Sequence, residues 1–189
     1  MRNFVVFFFA IAFAGAAVAG DDPDGQIRLY LHLQRGESKG FAAWLTVIDA
    51  TQRPRRVYAE AGYLVRKRDE GRVLSAEFLA GAFVHRDKLE PGLNVRLLIR
   101  RKDAYSVSSQ LFHDLDARQT VLQFQTVADL PLKGWQAGLE GEASHRRGRT
   151  IAGIGPRVVY AFSPGVSVAI GYQFRDTRNV CRLYSGLNF

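Results

Sequence analysis

The amino-acid sequence predicts an all-β protein, an antiparallel up-and-down transmembrane β-barrel. Three observations carry that prediction. Apolar and polar residues alternate with a period of two in segment after segment, which in a strand sorts the side chains onto two faces. Turn-forming residues separate the segments at short, regular intervals, as a meander of hairpins requires and a βαβ array does not. Near the start of the chain, Arg2 precedes a sixteen-residue run without a polar side chain, residues 4–19.

That run reads as an export signal. It leads into Ala17-Val18-Ala19, a small-residue site at which cleavage is expected after Ala19. It is shorter than the roughly 20 residues of a spanning helix, and an acidic, turn-rich stretch follows at once, so a retained anchor fits poorly. The expected organisation is a cleaved signal over 1–19, a short tail over 20–25 and one barrel domain over 26–189.

Composition narrows the field further. The 189 residues carry 26 Lys and Arg against 18 Asp and Glu, a net charge of +8. Such a balance usually suggests nucleic acid, but an exported chain would not meet it, and no nucleic-acid partner is expected. The single Cys181 cannot close an intrachain disulfide, and 47% apolar content argues against disorder. The four His are scattered and offer no ligand spacing, so neither a metal nor a cofactor is expected.

The clearest strands, in chain order, lie at 26–34, 57–66, 74–85, 93–102, 119–130, 135–144 and 166–175. In the first, Ile27, Leu29, Leu31 and Leu33 share one face while Arg28, Tyr30, His32 and Gln34 share the other. Four weaker segments, 41–49, 105–112, 152–162 and 181–189, complete eleven candidates. Pro156 lies in one of them and needs an edge, a bulge or a distorted ladder. Because single-chain bacterial barrels take even strand numbers, the expectation is ten or twelve strands, with eight as the remaining even alternative.

Alternation alone does not say which face points outward, since a soluble lipocalin-like carrier packs its apolar face inward. Polar faces that mix Glu and Arg with Gly and Ser suit a hydrated lumen, and the segment lengths suit the roughly 9–11 residues of a tilted membrane strand. Aromatics recur near strand ends, at Trp44, Tyr63, Trp135, Tyr160, Phe162, Tyr172, Phe174 and Phe189, where an interfacial belt would want them. The chain ends in Phe189 with Leu187 and Leu183 at alternate positions before it, interrupted by Ser185. This ending resembles the C-terminal assembly signal of Gram-negative outer-membrane β-barrel proteins.

The resemblance implies an outer-membrane location, recognition of Leu183, Leu187 and Phe189 by the assembly machinery, and a last strand that ends at the periplasm. The tail over 20–25 would then be periplasmic, with short turns at 68–71, 102–103, 130–134 and 163–165. Longer, basic connections at 49–56, 85–92, 113–118, 145–149 and 175–180 would face outward. Among them Arg146, Arg147 and Arg149 cluster within four residues and are the expected contacts to lipopolysaccharide phosphates. Some small barrels of this class are lipid A deacylases or acyltransferases. The deacylase pattern of a His with a Ser two residues later is absent at His113 and His145, where Leu115 and Arg147 stand, so no catalytic residue is assigned.

The polar faces collect Arg28, Arg66, Arg96, Arg100, Arg157, Arg175 and Arg182 together with Glu60, Glu77, Glu140 and Glu142. As lumen-lining residues they fit a narrow channel or binding barrel for an anionic solute or polysaccharide. The same residues, ion-paired across the lumen, would instead make a non-conducting structural or interaction barrel.

Overall fold

The computed structural model describes residues 24–48, 56–85, 88–102, 104–116 and 118–188. Among the described residues every regular element is a strand. In chain order they are β1 (Asp24–Arg35), β2 (Lys39–Ile48), β3 (Arg56–Asp69), β4 (Arg72–His85), β5 (Lys88–Arg101), β6 (Tyr105–Asp114), β7 (Gln119–Asp129), β8 (Trp135–Arg146), β9 (Arg149–Ser163), β10 (Val166–Arg175) and β11 (Val180–Asn188). Each pairs antiparallel with the next, and β1 pairs with β11 to close the barrel.

All eleven candidate segments are strands, which corrects the expectation of ten, twelve or eight. An odd number leaves the first and last strands running in the same direction. The barrel therefore closes through a parallel ladder, from Asp24 opposite Val180 to His32 opposite Asn188, and the fold is mixed rather than purely antiparallel. Parallel hydrogen bonds are slanted and slightly weaker per residue, yet nine residue pairs on this seam suffice to leave no free edge.

The odd count also separates the two ends of the barrel. β1, β3, β5, β7, β9 and β11 end, and β2, β4, β6, β8 and β10 start, at what is here termed the C-terminal rim. The opposite, N-terminal rim carries the starts of β1, β3, β5, β7, β9 and β11 and the ends of β2, β4, β6, β8 and β10. Two of the expected long connections prove short. His85 pairs with Lys88, and Arg146 with Arg149, because the alternating strands continue through residues that alternation alone leaves to the connections. A long-outside, short-inside asymmetry is thus weak.

Pro156 lies inside β9, and the ladder adjusts to it. The β9–β10 register lists Arg157 opposite Gly171 and then resumes at Ile154 opposite Phe174. The skipped positions are those where a proline cannot donate a hydrogen bond.

The faces sort as alternation predicts. Leu31, Phe78, Leu93, Ile154, Ile170 and Phe174 point outward and are 40–58% exposed. Outside, Trp135, Tyr160 and Phe162 pack as one aromatic group near the C-terminal rim, and Tyr172 with Phe174 as another toward the N-terminal rim. Trp44 corrects one expectation: it faces the lumen. Its strand is apolar on both faces, so alternation there was uninformative. Apolar residues also fill part of the interior, with Ala42, Leu64 and Leu79 packed on Trp44, and, toward the N-terminal rim, Tyr58 stacked on Phe83 with Phe112 edge-on to both.

Candidate functional site: the charged lumen

The lumen gathers side chains that alternation places on the polar face but that lie far apart in sequence. Glu142 on β8 is the centre of the largest group. Its Oε2 accepts from Arg28 at 3.1 Å, from Arg182 at 3.0 Å and from Gln123 at 2.7 Å, while Oε1 accepts from Arg175 at 2.6 Å. One carboxylate thus joins β1, β7, β10 and β11. Two residues along β8, Glu140 accepts from Arg157 at 2.8 Å and from the Tyr184 hydroxyl at 2.8 Å, and Arg182 lies 3.8 Å away. Arg182 therefore links the two carboxylates, and the guanidinium of Arg157 stacks 4.0 Å over the Tyr184 ring.

Glycine makes room for this group. A Cβ at Gly171 would sit 2.4 Å from the Glu140 carboxylate, and one at Gly153 would sit 2.5 Å from the Arg175 side chain. Both distances are well inside van der Waals contact. These two glycines are the sockets into which the Glu140 and Arg175 side chains fold.

Glu60 forms a second group, accepting from Asn94 at 2.8 Å and from Arg96 at 3.0 Å. A third surrounds Glu77, which accepts from Trp44 at 2.6 Å, from Gln34 at 2.5 Å and from His32 Nε2 at 3.0 Å. His32 is stacked on Trp44 at 3.7 Å between ring centroids, and the Arg96 guanidinium covers that indole 3.9 Å from its centroid. Arg66 donates to Gln34, and Arg100 stands exposed at the C-terminal rim. Of the eleven expected lumen residues, ten are thus drawn into one of the three groups, directly or through Gln34.

Sequence reasoning missed the partners His32, Gln34, Trp44, Asn94 and Tyr184. The period-two pattern assigns His32, Gln34 and Asn94 to the polar face, but it says nothing of which residues meet across the lumen. His113 and His145, by contrast, each bond the threonine opposite, Thr120 and Thr150, at 2.9 Å. Among the described residues no three of His, Cys, Asp and Glu converge as metal ligands.

Among the described residues, two cavities bear on this packing. The larger, about 300 Å³, reaches the C-terminal rim at Gln34, Ser167 and Asn188 and extends inward to Arg96, Gln110 and Gln123. The smaller, about 50 Å³, lies deeper, against Arg28, Thr46, Glu60 and Phe112. At the N-terminal rim Arg146 and Arg149 are direct cross-strand partners flanking the turn Arg147-Gly148, in which both residues have positive φ, 49° and 77°. All three arginines are exposed. Leu183 and Leu187 lie on the outer face of β11, and Phe189, like residues 1–19 where an export signal is expected, lies outside the described residues. No family model matches the chain, and no similar sequence is found among curated proteins.

Proposed function

We propose that the chain is an outer-membrane β-barrel that sits in lipid through its apolar exterior and does not conduct, its lumen being closed by ion pairs. The observation that carries the closed-lumen reading is Glu142 holding Arg28, Arg175 and Arg182 at 2.6–3.1 Å from three different strands. An arginine-lined path for anions needs guanidinium groups free to take a moving solute. Here the deep arginines are engaged with carboxylates, so the geometry favours the interaction barrel over the channel. The exterior supports lipid embedding, since soluble monomers seldom expose apolar patches beyond a few hundred Å², whereas here the outward residues of successive strands are apolar.

The test is electrical. Purified protein in planar bilayers is expected to be silent at both polarities. Steady anion-selective conductance would overturn the closed lumen and return the arginines to the role of a path.

Lipopolysaccharide is the proposed partner at the N-terminal rim. Arg146 and Arg149 stand directly opposite each other, and like charges so placed destabilise a sheet unless something anionic lies between. Changing Arg146, Arg147 and Arg149 to Gln should lower the unfolding temperature in lipopolysaccharide-containing membranes and leave it unchanged or raised in neutral detergent. An equal loss in both media would mean the arginines serve the fold itself.

A further inference from the structure

The small cavity inside the lumen has a wall that the ion pairs do not complete. Arg28 Nε, Arg96 Nε and Thr46 Oγ1 are buried without a hydrogen-bond partner among the described residues. All three residues line the same 50 Å³ space. Arg28 is 4% exposed and Thr46 6%, so bulk water does not readily serve them. A buried donor left unmade costs free energy comparable to a lost hydrogen bond, more for a charged group.

Charge points the same way. Among the described residues, the connected group around Glu140 and Glu142 holds two carboxylates against the four guanidiniums of Arg28, Arg157, Arg175 and Arg182. Arginine does not shed its proton to relieve the imbalance. Glu60, the carboxylate in the cavity wall, is already matched by Arg96 and Asn94. What remains is an excess of positive charge beside unused N–H and O–H groups.

We propose that this cavity binds a small monovalent inorganic anion of the chloride class, held by Arg28 Nε, Arg96 Nε and the Thr46 hydroxyl. A water needs only about 10–15 Å³ of free volume, so about 50 Å³ gives room for a monatomic ion with part of its hydration shell and is small beside an organic acid or a sugar. The rings of Tyr58 and Phe112 close the side toward the N-terminal rim. Tyr30, Arg96, Gln110 and Gln123 line both cavities, so an ion arriving from the C-terminal rim would pass these side chains from the 300 Å³ chamber. The site depends on the lumen alone and not on where the barrel resides. It therefore stands or falls separately from the closed-membrane-barrel reading.

Bromide serves as the probe, with gluconate, too large for the cavity, as the matched salt. In detergent at constant ionic strength, replacing sodium gluconate by sodium bromide should raise the unfolding temperature along a saturating curve. Thr46→Val keeps the shape and removes the hydroxyl, and it should raise the half-saturating bromide concentration about tenfold, the scale of one hydrogen bond to an ion. Thr46→Ser should titrate as the wild type does. Arg100→Gln, at the exposed rim, should also leave the curve unchanged. Equal responses to bromide and gluconate, or identical curves for Thr46→Val and wild type, would overturn the site. If Thr46→Val does not fold, anomalous scattering from bromide-soaked wild-type crystals decides: a peak between Arg28 and Arg96 supports the proposal, and its absence sinks it.

Discussion

Glu142→Gln should unfold at a much lower denaturant concentration than the wild type, with a loss of about 3–5 kcal/mol, the usual cost of breaking a buried ion pair by removing one partner. The amide keeps the size of the side chain but not the charge that three guanidiniums share. Glu142 is only 11% exposed at its side chain, so solvent replaces little of what is lost. Glu140, its neighbour on β8, already serves Arg157 and Tyr184 and cannot take on Arg28 or Arg175. The matched control is Glu37→Gln, in the exposed connection after β1, where a change within about 0.5 kcal/mol is expected. If the two variants unfold together, the Glu142 group does not organise the lumen.

The second large effect concerns the exterior. Leu97→Arg should destabilise the barrel in lipid vesicles by about 2–4 kcal/mol if its position lies near the bilayer midplane, because a guanidinium on the lipid side must be desolvated or reach for the interface. A comparison inside the lumen needs a site without a network role. Gln123 is unsuitable because its amide donates to Glu142 at 2.7 Å. Ser108, which lines the large cavity, is the better choice, and Ser108→Arg should cost distinctly less. Equal losses for Leu97→Arg and Ser108→Arg, measured by unfolding in the same vesicles, would remove the case for a lipid-facing exterior.

Much of this architecture was legible because a strand's period of two needs only local information. Ile27 to Gln34 reveals its two faces within eight residues, and the same holds for the other strong segments. The reading weakens where both faces are apolar, as between Ala42 and Ile48, and that is where Trp44 was assigned outward. Closure was not legible for a different reason. Nothing local in 24–35 or 180–188 says that these segments meet, and parity argued against their parallel pairing. Glutamate and arginine could be assigned to the lumen from their faces, but Arg28 and Glu142 are 114 positions apart. Their meeting is fixed by strand tilt and stagger around the barrel, which no single segment encodes.

The parallel seam has a topological corollary. Asp24 and Asn188 leave the barrel at opposite rims, separated by the length of a nine-residue strand, roughly 30 Å at about 3.3 Å per residue. The barrel therefore cannot be circularly permuted with a short linker, since joining the two ends would require a connection running its whole height, through the occupied lumen or along the outside. In a membrane the same geometry assigns the two ends to different compartments, so an epitope before β1 and one after β11 would answer to antibodies or proteases from opposite sides.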